Sequence, residues 1–480
     1  MSRLKDPDIF FTPVAELNGR LKKREFSARD LVETAIDRLQ RFGPRYNAVA
    51  HIIDDDAIDR AKDIDGDMKR ERFRGPLQGI PFGVKDLLSV GKHPTRWGAK
   101  PYENQVFEKD SVVVRKLHST GAVAVAKLAM VELAGGGGYR YPAASLNGPG
   151  LNPWDLTRWA GGSSSGSGAA VAAGIVPFAI GSETWGSILT PCAFCGVTGL
   201  RPTYGLVSRR GGMALSWSMD KIGPIARTVE DCALVLQEIS GGDAEDPGSA
   251  GKSFYYNPQF ARDPKDLTIG FSPSDFSEAA APETRAAFQA ALEAFRSIGT
   301  KIEEVDLPDF PYRAAASATI TAEGSAAFEE LIRSGLVDQL ADEKQIAGLK
   351  AGLDLPASDY LRAQRIRLLI QRSLRNVLYK IDVLLAPARY ETAPPVDQPL
   401  DRRRNADSEP ASLGLRDLSA AGNLAGLPAL VLPCGLSENG LPIALQLVGR
   451  PFTENTLVGL GKAFQERTDW HLRRPPNPAA

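Results

Sequence analysis

The chain has 480 residues, 43% of them hydrophobic, with 57 Lys and Arg against 58 Asp and Glu. That is ample for a large buried core, and a net charge of −1 leaves no electrostatic footprint for nucleic acid. Four cysteines make no disulfide framework, no apolar h-region follows Met1–Asp6, and the longest apolar stretch, Gly168 to Ile180, is too short for a bilayer; neither a secretory signal nor a membrane span is expected, and a soluble cytoplasmic protein fits best.

Residues 8–70 read as helical. Ser27 is a plausible N-cap with Asp30 three residues on, and Leu31, Val32, Ala35, Ile36 and Leu39 follow at helical spacing. Gly79 to Val84 is a short apolar run that leads into Lys85-Asp86. Val112 to Leu117 and Ala122 to Ala126 read as a helix and then a strand, with Gly121 between them. From Gly135 to Gly186, Gly, Ser and Ala dominate. The large groups among them, Val171, Ile175, Phe178, Ile180, Trp154, Trp159 and Trp185, would not all stay in water. A buried, tightly turned segment is therefore expected, in which small residues let backbones approach closely.

Further on, residues 268–272 read as a strand, Ala281 to Ile298 as a helix and Lys301 to Val305 as a strand. Residues 312–380 are largely helical in pattern. Asp382 to Leu385 reads as a strand that enters a Pro-rich loop, and Leu430 to Leu432 and Ile443 to Val448 close the series as strands. Strands alternating with helices indicate an α/β fold. Arg402-Arg403-Arg404 has no aromatic interleaving and reads as a solvated loop.

Several short patterns fail when tested against their chemistry. Gly251-Lys252-Ser253 lacks the first glycine of a phosphate loop, because position 246 is Asp246. Cys192 and Cys195 form a lone C-x-x-C without further ligands, so no metal site is expected and no cofactor is called for. Gly162 to Gly166 fits a nucleophile elbow around Ser164, but Asn152 to Asp155 reads as a turn and the only downstream histidine is His471. Ser89-Val90-Gly91-Lys92 matches S-x-x-K only where Gly91 disfavours the required helix. The chain has four histidines, His51, His93, His118 and His471, so a catalytic base would be some other group.

A larger constellation survives. It runs from Gly75-Pro76-Leu77-Gln78-Gly79-Ile80-Pro81-Phe82-Gly83-Val84-Lys85-Asp86, through Gly161 to Ser167 and Gly181-Ser182-Glu183-Thr184-Trp185-Gly186-Ser187-Ile188, to Cys195 to Thr203. Ser218 to Pro224, Arg227 to Asp231, Asn423 to Pro428 and Gly440 to Gly449 follow in order. Together these segments resemble the amidase-signature family over nearly the whole chain. Ser187 follows Ser163 by 24 residues, the family's interval between nucleophile and relay serine, and this selects Ser163 over Ser164 and Ser165.

The resemblance implies one large α/β domain over residues 1–480, a central mixed β-sheet flanked by helices. Its parts would be N-terminal helices (8–70), a signature core (71–235), a variable, partly helical substrate region (270–420) and C-terminal core strands and helix (421–465). It implies Ser187 as nucleophile, Ser163 as proton relay and Lys85 as base, a cis peptide between Gly162 and Ser163, and an oxyanion hole from the amides of Thr184, Trp185, Gly186 and Ser187. Lys85 must then be neutral when it acts, although a solvated lysine titrates near about 10.4, so it must be buried. Some positions depart from the family: Trp185 takes the place of a glycine, Glu183 that of a commoner Asp and Leu189 that of a common Arg, and Trp159 and Ser165 are also unusual. Tyr139, Tyr141, Trp217 and Tyr390 are candidate substrate-lining aromatics.

The implied reaction is hydrolysis of an amide, aryl amide or carbamate, with a small molecule as partner and at most a second copy of the chain. The alternative is the transamidating subunit of a tRNA-dependent amidotransferase, although the Tyr-rich segment of such subunits is not found. A third reading is a scaffold that keeps only the fold.

Overall fold

The computed structural model describes residues 4–401 and 414–476, so the Arg402–Arg404 run lies outside the described residues. Strands β1 (Val49–Ile52), β2 (Pro81–Lys85) and β3 (Val123–Leu128) come first, and β4 (Leu151–Asn152) and β5 (Asp155–Trp159) pair as a separate hairpin. They are followed by β6 (Phe178–Glu183), β7 (Thr198–Arg201), β8 (Lys221–Ala226), β9 (Thr268–Phe271), β10 (Lys301–Glu304), β11 (Val383–Pro387), β12 (Ala429–Leu436) and β13 (Pro442–Gly449). Among the described residues, eleven of these form one sheet in the order β1-β3-β2-β6-β8-β7-β12-β13-β11-β9-β10. The sheet is mixed: β3, β2 and β6 run parallel, as do β11, β9 and β10, and the pairs between β6 and β11 are antiparallel.

The apolar runs become strands because both faces of the sheet are covered. β2, β3, β6, β8 and β13 are buried at every residue, the pattern of strands that have no solvent face. The segment 312–380 forms the helices Tyr312–Ala327, Glu329–Arg333, Glu343–Gly352 and Ala357–Lys380.

One expectation needs correction. The stretch 8–70 is helical over Val14–Lys22, Ala28–Phe42 and Asp55–Lys69, but β1 interrupts it as an edge strand antiparallel to β3. The helix that Ser27 and Asp30 cap through a reciprocal capping box ends at Phe42. Gly43-Pro44 and Asn47, with φ +48°, then turn the chain. Four half-buried residues carry too little periodicity to announce themselves, and pairing with β3 decides their conformation.

The Gly-, Ser- and Ala-rich segment meets the expectation in part: Trp159 to Thr184 is buried throughout, whereas Gly138, Arg140, Tyr141, Ala143, Leu156 and Thr157 are exposed and Trp154 and Trp185 are half-buried. Helix Ser165–Ala172 has every residue buried. A Cβ on Gly166 would lie 2.3 Å from the Ala48 carbonyl oxygen and 2.6 Å from the Ala129 amide, so only glycine lets this helix reach the end of β3. All four cysteines are buried and unpaired. Among the described residues, no helix is long and apolar enough to cross a membrane.

Candidate active site

The site forms where parallel strands end. Lys85 is the last residue of β2 and Glu183 the last of β6, and the register pairs Val84 with Ile180. Both strands therefore deliver their carboxyl ends to the same sheet edge, where open α/β sheets place their chemistry.

Lys85 is fully buried. Its Nζ donates to Ser163 Oγ at 2.7 Å, to Ser182 Oγ at 2.9 Å and to the Ser182 carbonyl at 3.4 Å. Burial pushes the amine down from the usual lysine range to about 7, although the charges of Asp220 and Glu183 pull the other way. Of the three adjacent serines, only Ser163 reaches the amine. Ser164 Oγ donates to the Ser182 carbonyl at 3.3 Å and Ser165 Oγ to the Ala129 carbonyl at 3.4 Å. A strand does precede Ser164, namely β5, but it belongs to the detached hairpin, and the Ser164 hydroxyl is committed to backbone. The Gly162–Ser163 peptide is cis.

Ser187 is buried except for a small opening, with 7% of its surface exposed. The Ser164 amide donates to the Ser187 carbonyl at 3.3 Å, which joins the two serine loops. Among the described residues, the Ser187 hydroxyl and the amides of Thr184, Trp185, Gly186 and Ser187 have no hydrogen-bond partner. Four successive free amides before and at a serine are the raw material of an oxyanion hole. Gly186 holds φ +85°, and a Cβ there would lie 3.2 Å from Thr190 Oγ1. Gly186→Ala is expected to strain this loop by about 1–2 kcal/mol and to lower kcat more than it changes KM. Steady-state kinetics on one anilide would check this, and an unchanged kcat would contradict it.

Glu183 secures the loop from beneath. One carboxylate oxygen accepts from the amides of Ile188 and Leu189 at 2.8 and 3.0 Å. The other accepts from Arg201 Nη1 at 2.8 Å and Asn423 Nδ2 at 2.9 Å. Burial alone would raise this carboxyl, but Arg201 and the Leu189 amide override it and hold the carboxyl at about 2. Its stabilising contribution is therefore present above the ordinary glutamate range near about 4.3 and is lost as pH falls toward 2. Glu183→Gln leaves the buried Arg201 unpaired and is expected to cost about 3–5 kcal/mol. Chemical denaturation would measure this, and a loss under about 1 kcal/mol would mean the pair behaves like a surface one.

Two further residues of these motifs gain a role from their contacts. Ser182 gives Lys85 its second hydroxyl contact. Asp220 accepts from Thr184 Oγ1 at 2.5 Å and from the Leu215 and Ser216 amides at 2.8 and 2.9 Å, which pins the first residue of the free-amide loop. No signal in one sequence separates these roles from ordinary loop polarity. A cavity of about 200 Å³ abuts the Lys85–Ser163 pair through Ser182 and Thr184, with Leu87, Met213, Trp217 and Asp220 also on its wall.

The four candidate aromatics part company. Tyr139 lies beside the cis peptide: a Cβ on Gly162 would be 3.3 Å from its hydroxyl. Its ring meets Trp159 edge-on at 6.2 Å, and Trp159 meets Phe194 at 6.2 Å. Burial pushes the Tyr139 phenol up to about 12. Trp217 is 45% exposed on the cavity wall. Tyr141 is exposed, and its amide donates to Asp342 at 3.0 Å. The Tyr390 hydroxyl donates to Asp275 at 3.0 Å. Trp185 is half-buried and packs against the main core.

A family profile described as Amidase matches residues 30–458. A glutamyl-tRNA(Gln) amidotransferase subunit of Chloroflexus aggregans is 35% identical, covering 98% of this chain and 99% of that protein. Native peptide amidase from Stenotrophomonas maltophilia superposes with TM-score 0.82 at 30% identity over 98% of this chain and 99% of that one. The structure of a vestigial protein complex that reveals the evolutionary origins of an s-triazine catabolic enzyme superposes with TM-score 0.85 at 30% identity, covering 95% and 98%. By sequence, motif order and fold, the chain belongs to the amidase-signature family of enzymes, which act on amide C–N bonds by hydrolysis or amide transfer.

Proposed function

We propose that the protein cleaves an amide C–N bond through a covalent acyl-Ser187 intermediate. The observation that carries this reading is Lys85 Nζ, fully buried with its amine held at about 7, 2.7 Å from Ser163 Oγ. Neutral Lys85 takes the Ser163 proton as Ser163 takes that of Ser187, and Ser187 Oγ bonds to the substrate carbonyl carbon. The oxyanion is held by the free amides of Thr184 to Ser187. The proton returns through Ser163 to the nitrogen, the C–N bond breaks and the amine leaves. Water then attacks the acyl carbon by the same route, releasing the acid and Ser187. The Ser163–Ser187 leg closes in the reacting complex, where catalytic hydrogen bonds tighten. Aryl amides, carbamates and esters share this tetrahedral chemistry.

A second reading uses the same site as the amide-splitting half of a tRNA-dependent amidotransferase. The likeness to the Chloroflexus amidotransferase protein over 98% of the chain favours it over a stand-alone hydrolase. The balanced charge and the departures at Trp185 and Leu189 favour a substrate of its own. The purified chain by itself, assayed on anilides and carbamates, separates them. Turnover without partners supports the hydrolase; amide transfer only with partner subunits supports the second reading. Failure of Ser187 to react with a fluorophosphonate would leave the non-enzymatic scaffold. A cytoplasmic location is proposed from the four unpaired, buried cysteines.

A further inference from the structure

Arg389 leaves the sheet at the end of β11, two residues after Pro387. Its position is fixed by its neighbours. The Ala388 amide donates to the Ala444 carbonyl at 2.9 Å, and the Tyr390 carbonyl accepts from the Ala281 amide at 2.8 Å. The Tyr390 hydroxyl is held by Asp275. The guanidinium is thereby laid against the loop that precedes Ser187. It donates to Thr190 Oγ1, and a Cβ on Gly186 would lie 3.6 Å from Nη2. It also stands 5.9 Å from the centre of the Phe194 ring. Arg389 thus caps the aromatic wall of Tyr139, Trp159 and Phe194 from the side of the free amides.

Two properties set this arginine apart. It is exposed to solvent, yet the surrounding protein desolvates it enough to push its pKa down. It also forms no ion pair with any described residue. The nearby Glu183 is committed to Arg201. A guanidinium has five N–H donors in a planar fork, and among the described residues only Thr190 Oγ1 accepts from it.

We propose that Arg389 is a specificity-determining residue that binds a carboxylate on the substrate, so that the site selects amides bearing a negative charge. The proposal rests on Ser187 as the reacting group, and it assigns a substrate class to that site. A carboxylate matches the guanidinium fork bidentately. It would sit within one side chain of the Gly186–Ser187 loop, against an aromatic surface that accepts the remainder of the acyl group.

The test uses two anilides of equal acyl length, the mono-para-nitroanilide of succinic acid and the para-nitroanilide of butyric acid. The wild type is expected to favour the anionic one in kcat/KM, and Arg389→Gln to lower the ratio of the two by about tenfold or more. Calorimetry with the succinic anilide on Ser187→Ala, with and without R389Q, reads the same contact without turnover and is expected to show Kd weakened by a similar factor. A wild type with no preference for the anion, or a ratio and a Kd that R389Q leaves unchanged, overturns the proposal. If neither anilide is turned over but binding still depends on Arg389, the anion site stands and the hydrolase reading falls.

Discussion

With Ser187 as the proposed nucleophile, Ser187→Ala is expected to abolish turnover, with kcat falling by roughly six orders of magnitude, as in serine hydrolases that lose their nucleophile. The hydroxyl is small, nearly buried and without a partner among the described residues, so its removal leaves no unsatisfied donor and no sizeable cavity. Fold and melting temperature should therefore be preserved. The variant should also lose labelling by a fluorophosphonate, and mass spectrometry of the labelled wild type should place the adduct on Ser187. Substantial activity in Ser187→Ala, or an adduct on Ser163 or Ser164, would sink the assignment.

Lys85→Met is the second large effect. A positioned general base contributes roughly 10²–10⁴-fold, so kcat/KM should fall by that order. In the proposed mechanism the amine acts when neutral, and burial holds its pKa at about 7. The wild-type kcat/KM should therefore rise with pH through about 7 and level off above it. This acid limb should vanish in Lys85→Met. The sign for stability runs the same way: the folded protein binds this proton less readily than the unfolded chain, so burial of the amine opposes folding below the ordinary lysine range. Methionine removes that penalty, and the midpoint of thermal unfolding at neutral pH should not fall. A wild-type profile flat across neutral pH, or a Lys85→Met enzyme of normal activity, would remove Lys85 from the base role.

The site and the fold were legible to different degrees. Strands such as Val383–Pro387 and Pro442–Gly449 stood out as apolar runs, and Pro282–Ile298 as an apolar periodicity. β6, β7 and β8 did not stand out, because their glycines, serines and charged ends dilute the pattern. Their strand character comes from lying between other strands. β1 was hidden because four half-buried residues are too few to show a period, and pairing with β3 at the sheet edge decides their conformation.

The order and spacing of Lys85, Ser163 and Ser187 could be read directly along the chain, and the scarcity of histidine turned attention to a lysine base. Their surroundings became definite only on folding. Ser182 comes within 2.9 Å of Lys85 across two parallel strands. Glu183 meets Arg201 and Asn423, which are 18 and 240 residues away. Arg389 comes to rest against Gly186. Periodicity reports whether a residue is buried, because burial follows the local repeat of the backbone. Which polar partner a buried residue meets depends on the strand order of the sheet, and that order is set by packing across the whole chain.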